Sequence, residues 1–163
     1  MKVVTYDVEG WGVGVLHYDV GVLIAHDEPG TGRDGASVAA RETDVEVLIS
    51  RLRAWYAGEP DSFSDIDCEP AIVWAGLTDY EAAVVRAVRS IPRGETASYG
   101  EIAILAGRHR AWRAAGATCG RGVLSAIVPY HRVIRSNGDI GGYGMLGQQR
   151  KQRLLALEGV HAR

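Results

Sequence analysis

Three times this chain writes the same four-residue signal for a helix start: Thr43-Asp44-Val45-Glu46, Thr78-Asp79-Tyr80-Glu81 and Ser98-Tyr99-Gly100-Glu101. A hydroxyl residue followed three places later by glutamate satisfies backbone N–H groups that a first helical turn leaves bare, so each is a capping box. Apolar residues follow each box at helical spacing: Val47, Leu48, Leu52, Trp55 and Tyr56; Val84, Val85 and Val88; Ile102, Ala103, Leu105 and Ala106. Gly58, Ile91-Pro92 and Gly107 end the three helices. Ahead of them, Val3 to Tyr6, Val13 to His17 and Val20 to His26 are β-branched runs parted by Glu9-Gly10 and Tyr18-Asp19, which predicts an antiparallel meander. Residues 29–35 read as a flexible loop, and Ile72-Val73-Trp74 as one more short strand.

The fold expected is therefore α+β. An N-terminal unit, residues 1–76, has a small antiparallel sheet with helices, and a helical unit follows over 77–163. A chain of 163 residues with 47% apolar side chains can bury a real core. It shows neither an apolar run of ~18 residues nor a basic-then-apolar leader, so a cytoplasmic protein without a membrane partner is expected. Cys68 and Cys119 lie far apart, with no CxxC or Cys/His spacing, and read as core residues. His17 and His26 read as surface or strand-end histidines. No metal or cofactor is expected. Residues 1–90 carry 7 Lys/Arg against 16 Asp/Glu, whereas 91–163 carry 11 against 4. A basic, arginine-rich half is what phosphate contact needs, although an ordinary solvated surface also accommodates the gradient.

After the third capping box and a short basic turn, Ala111 to Cys119 forms a further helix, giving a helix-turn-helix layout. Ala111, Ala114, Ala115, Gly116 and Ala117 would let it approach a sugar-phosphate backbone closely, with Arg113 as its main long polar side chain. Downstream, Val128-Pro129-Tyr130-His131-Arg132-Val133-Ile134 sets a polar trio between β-branched residues and reads as a short extended segment. An imidazole there is expected to be buried and to need a polar partner, for which Glu158, in the apolar run Leu154-Leu155-Ala156-Leu157, is the candidate.

These motifs, in this order, resemble the O6-alkylguanine-DNA alkyltransferases. The resemblance rests on Ile91-Pro92-Arg93-Gly94, Ser98-Tyr99-Gly100-Glu101-Ile102-Ala103, Ala114-Ala115-Gly116, Pro129 with His131-Arg132-Val133-Ile134, Gly141-Gly142-Tyr143 and Leu154 to Gly159. It implies a winged-helix-like DNA-binding unit that enters the minor groove and flips an alkylated guanine into a pocket. Arg113 would be the finger that fills the vacated stack. Tyr99, with Ser98, Trp112 and Ala114, would contact DNA, Tyr99 crowding the target phosphate. Tyr130, Val133, Tyr143, Met145 and Leu146 would line the base pocket, the Val133 carbonyl accepting from the guanine amino group. His131 and Glu158 would be the relay that activates a thiol.

Four departures accompany the resemblance. Tyr130 stands where the family has its acceptor cysteine, Arg121-Gly122-Val123 where it usually has Gly-Asn-Pro, Met145-Leu146 where many members have glycines, and Trp112 where a small residue is usual. At neutral pH roughly a few per cent of a free cysteine is ionised against about a tenth of a per cent of a tyrosine, and sulfur is the softer nucleophile. The expectation is thus a non-enzyme, similar to the alkyltransferase-like proteins. It would be a monomer that binds duplex DNA containing alkylated guanine and presents the lesion to nucleotide excision repair proteins. The alternatives are an alkyltransferase using Tyr130 or Cys119 as acceptor, and a plain DNA-binding module. Cys119 is expected to lie outside the pocket.

Overall fold

The structure is a computed structural model and describes residues 1–31, 43–144 and 146–161. Strands β1 (Lys2–Val8), β2 (Gly12–Asp19) and β3 (Val22–Asp27) form the expected antiparallel meander, in the order β1-β2-β3. The second turn falls at Val20-Gly21 instead of Tyr18-Asp19, because both residues take the positive φ of a two-residue hairpin, 48° and 79°. Tyr6 faces Gly14 across the β1–β2 ladder, where any side chain would strike its ring: a Cβ on Gly14 would sit 2.6 Å from Cζ. Helix α1 (Thr43–Tyr56) buries Val45, Leu48, Leu52, Trp55 and Tyr56. The Thr43 side chain that would close the first capping box lies outside the described residues, as do residues 32–35 of the loop.

The strand expected at 72–74 is instead the end of helix α2 (Glu69–Trp74). Pro70 suits a first helical turn, the Asp67 carboxylate accepts from the Glu69 N–H at 2.9 Å, and burial follows a helix face: Ala71 and Ile72 are inside, Val73 and Trp74 outside. Three β-branched or aromatic letters were too few to outweigh these start signals.

Both described capping boxes form. They open α3 (Asp79–Arg89) and α4 (Tyr99–Leu105), and Gly107 at φ +85° turns the chain toward α5 (Trp112–Arg121). Short strand β4 (Ala97–Ser98) pairs in parallel with β5 (Val133–Ile134) and so carries the start of α4 to the 130s. Only β5 of the 128–134 stretch is extended. Tyr130–Arg132 is a 3-10 turn, since Pro129 (φ −82°, ψ 64°) bends the chain and its carbonyl accepts from the Arg132 N–H at 3.0 Å. We propose a division into 1–76 and 77–163 on the chain path, residue 76 falling in the loop between α2 and α3. One apolar cluster runs across that loop, from Val4 and Leu16 through Leu52 and Trp55 to Val128 and Leu154.

Helix α6 (Gly147–Leu157) closes the molecule. Just past its end, the Glu158 carboxylate accepts from Arg132 Nε and Nη2 at 2.9 and 2.8 Å and pairs with His131 Nε2 at 3.0 Å. Burial pushes this carboxyl up, but the His131 and Arg132 hydrogen bonds outweigh it and hold the group at about 2, below its ordinary 4.5. Burial lowers His131 below 6.5, against the pull of Glu158. Both folded-state values are depressed, so the unfolded chain takes up protons that the folded chain refuses, first below about pH 6.5 and then below about 4.5. The melting temperature should therefore fall from about pH 7 to about pH 4. In Glu158→Gln it should start lower and lose the part of the slope below about pH 4.5; an unchanged slope would contradict this assignment.

Candidate nucleic-acid interface and base pocket

Helix α5 presents Trp112, Arg113, Ala114 and Ala117 outward while burying Ala115 and Thr118. The Arg113 guanidinium lies over the Trp112 ring, 4.7 Å from its centroid, and among the described residues it makes no ion pair. Trp112 is half exposed, at 50%, so one face of this stacked pair is open. Behind α5, the Tyr99 ring occupies the space beside Gly116, where an added Cβ would come within 3.6 Å of it, and its hydroxyl lies 3.8 Å from where a Cβ on Gly141 would be. Ser98 is spent on the fold: its hydroxyl accepts from the Glu101 N–H at 3.2 Å and caps α4. Ala114 gives its carbonyl to the Thr118 hydroxyl at 2.9 Å and keeps its methyl outside.

Tyr130 is buried at 3% exposure and donates its hydroxyl to the Val123 carbonyl at 3.0 Å. Burial first, then the neighbouring cysteines, keeps the phenol well above its ordinary pKa. A neutral phenol bonded to a carbonyl is a poor nucleophile in this conformation. His131 is fully buried. With its ring neutral and Glu158 ionised, Nε2–H donates to Glu158, which leaves Nδ1 as a lone-pair acceptor, and that atom has no partner among the described residues. The expected His131–Glu158 pair therefore forms, yet the relay ends at Nδ1 and does not reach the Tyr130 hydroxyl.

A cleft of about 150 Å³ is lined by His26, Glu28, Cys119, Ser125, Tyr143 and Leu146, among others, and neither Tyr130 nor Val133 is among its lining residues. Two expectations change here. Cys119 lines the cleft, because it lies one helical turn past Ala115 on the inner side of α5; its thiol is pushed up to about 12 by burial, against the nearby Lys151 cation. His26 is a buried bridge and no surface residue: its Nδ1 meets the Ser125 carbonyl at 2.5 Å and its Nε2 meets Tyr6 Oη at 2.6 Å. His17 is partly buried against Asp27, at 2.9 Å. Of the residues expected to line a base pocket, Tyr143 and Leu146 line this cleft, Tyr130 and Val133 do not, and Met145 lies outside the described residues.

Val133 is buried, and its carbonyl already accepts from the Lys151 ammonium, which also reaches the Gly142 carbonyl at 3.3 Å. Burial lowers Lys151 to about 8. Sequence reasoning missed Lys151, Arg132 and Glu28. Lys151 was within reach of it, since Lys151, Leu154, Leu155 and Glu158 recur on one face of a helix. A second hollow, about 380 Å³, is lined by Pro129, Phe63 and Arg93, among others. Its arginines are spent on backbone carbonyls, Arg93 on Gly58 and Leu157 and Arg132 on Ile91. Among the described residues no group of three or more His, Cys, Asp or Glu side chains could hold a metal, and no helix is long and apolar enough to cross a membrane.

Comparison with known proteins bears on the same residues. The family model of the 6-O-methylguanine DNA methyltransferase DNA-binding domain matches residues 79–160. The chain is similar to methylated-DNA–protein-cysteine methyltransferases of Mycolicibacterium paratuberculosis (42% identity over 114 residues, 70% of this chain) and Methanosarcina acetivorans (42% over 109, 67%). The matches span 65% of the length of each of these relatives. It is also similar to a crystal structure of Mycobacterium tuberculosis OGT in complex with DNA, at 34% identity and a TM-score of 0.74, over 96% of this chain and 92% of that one. The α+β arrangement of a small antiparallel sheet before a helical DNA-binding unit is shared with it. The expectation of a non-enzyme is overturned, because relatives at this level of identity are named as methyltransferases. On the family model, the sequence identities and the shared fold, this chain belongs to the 6-O-methylguanine DNA methyltransferase family.

Proposed function

We propose that this chain recognises O6-alkylguanine in duplex DNA, laying α5 in the minor groove, filling the vacated stack with Arg113 and receiving the turned-out base in the cleft beside Tyr143. One observation carries the reading: the Tyr99 ring lies where a Cβ on Gly116 of the exposed small-residue helix would meet it at 3.6 Å, and its hydroxyl where a Cβ on Gly141 would meet it at 3.8 Å, so one side chain lies between that helix and the loop that bears Tyr143. The relative solved with DNA and the names of the curated relatives support it. In this reading the protein acts as a cytoplasmic monomer, and a bound lesion is presented to further repair proteins, nucleotide excision repair among them.

Affinity for an O6-methylguanine duplex should exceed that for the matched guanine duplex by roughly tenfold or more, because a damaged pair costs less to open. Equal affinities would reduce the protein to a plain DNA-binding module. Intact protein mass, recorded in the same samples, reads whether residue 130 or Cys119 takes up a methyl group. Arg113→Ala should weaken lesion binding more than binding to guanine, while changing the salt slope by roughly one unit or less. Equal losses on both duplexes would make Arg113 an ordinary phosphate contact.

Tyr130→Cys would put a thiol next in sequence to His131, whose Nδ1 has no partner among the described residues, and would remove a buried phenol ring. That variant should acquire a methyl group on residue 130 from O6-methylguanine, and Tyr130→Cys with His131→Ala should take it up at least about tenfold more slowly. A folded, lesion-binding Tyr130→Cys protein that gains no mass would show that His131 does not serve as a base here.

A further inference from the structure

The cleft is built by both halves of the chain, and the contribution of β3 is larger than packing requires. Just past the strand, Glu28 is 1% exposed. Its Oε1 accepts from the Tyr143 hydroxyl, and its Oε2 from Arg150 Nε at 3.2 Å and the Tyr56 hydroxyl at 3.4 Å. A carboxylate suits this place, being an acceptor-only group facing three donors. Two residues earlier, His26 holds the Ser125 carbonyl on the opposite wall. Burial keeps that imidazole neutral, so Nδ1–H donates to Ser125 and Nε2 accepts from Tyr6.

Both walls need such restraint. Tyr143 sits in a loop flanked by Gly141 at φ +71° and Gly144 at φ +47°. Ser125 sits between Leu124 and Ala126, whose left-handed φ values of 52° and 72° are costly for residues with a Cβ. Neither loop would hold its shape from its own preferences. Each is tied instead to residues about a hundred positions earlier, at the end of one strand.

Resting on the recognition reading above, we infer that Glu28 is a positioning residue of the base pocket: through Tyr143 it sets the cleft that a turned-out base enters, so the N-terminal sheet governs lesion discrimination. Glu28 need not touch DNA. Its effect should appear in the ratio of lesion to guanine affinity, whereas a merely structural role would lower stability and leave that ratio alone.

The test compares Glu28→Ala, Tyr143→Phe, the double variant, and Val4→Ala, which removes core volume from the same sheet away from the cleft lining. In Glu28→Ala the lesion-to-guanine ratio should fall about tenfold, the size of one hydrogen bond to a charged group. Tyr143→Phe should fall similarly, the double variant should fall no further than the worse single one, and Val4→Ala should keep the wild-type ratio. Additive losses, an unchanged ratio in folded Glu28→Ala, or an equal fall in Val4→Ala would overturn the inference. Amide hydrogen exchange without DNA separates it from the recognition reading. Even if wild-type protein shows no lesion preference, Glu28→Ala should speed exchange over residues 138–147 by about tenfold, and unchanged exchange there would overturn the positioning role.

Discussion

A carboxylate sealed inside a protein is tolerable only when its oxygens are fully hydrogen-bonded, and Glu158 meets that demand with two arginine N–H groups and one imidazole. The requirement fixes more than one residue. Arg132 also donates to the Ile91 carbonyl after α3, and His131 lies edge-on to Trp55 of α1, 5.6 Å between ring centres. The 3-10 turn, the last helix, α3 and the N-terminal layer are thus referred to one buried charge. Tyr130 is the residue next to that cluster, and its hydroxyl takes no part in the cluster's hydrogen bonds. This explains how position 130 can carry a phenol in a family whose relatives are named for a cysteine: the supporting shell is satisfied by its own members.

What the sequence made legible was local. Capping boxes, turn glycines and helical periodicity located α1, α3, α4 and α5, and the pairing of His131 with Glu158 followed from two polar residues in two apolar runs. The misreadings occurred where local signals were short or conflicting. Ile72-Val73-Trp74 has strand letters but a helix start before it, and Pro129 turns what its β-branched neighbours would extend. Long-range relationships were invisible. Nothing in the letters around Glu28 indicates that its partners lie 115 and 122 positions later, and Cys119 could be placed at the cleft only once the rotation of α5 about its axis was known. Lys151 falls between these cases, because its burial was written in the helical period but its acceptor was not.

The exposed and buried arginines divide the electrostatics in a way the charge count conceals. Arg51, Arg86 and Arg121 pair with carboxylates, Arg89 and Arg93 serve backbone carbonyls, and Arg132 does both, joining Glu158 and the Ile91 carbonyl. Among the described residues Arg113 makes no ion pair and lies over the Trp112 ring. The basic C-terminal half is therefore partly structural, since Arg93, Arg121, Arg132, Arg135, Arg150 and Arg153 are all engaged within the fold.

The last helix also reaches back to the first hairpin. Arg153 donates to the Gly10 carbonyl at 2.6 Å and lies over the Trp11 ring, while Arg150 joins Glu28. These contacts join residues separated by 122 to 143 positions, so closing them is entropically slow and comes late in folding. On the ribosome, the sheet and α1 can assemble early, but the bond of Arg150 to Glu28 and that of Arg153 to Gly10 must wait until residues 150–153 have left the exit tunnel. Until then Glu28 lacks one of its three donors.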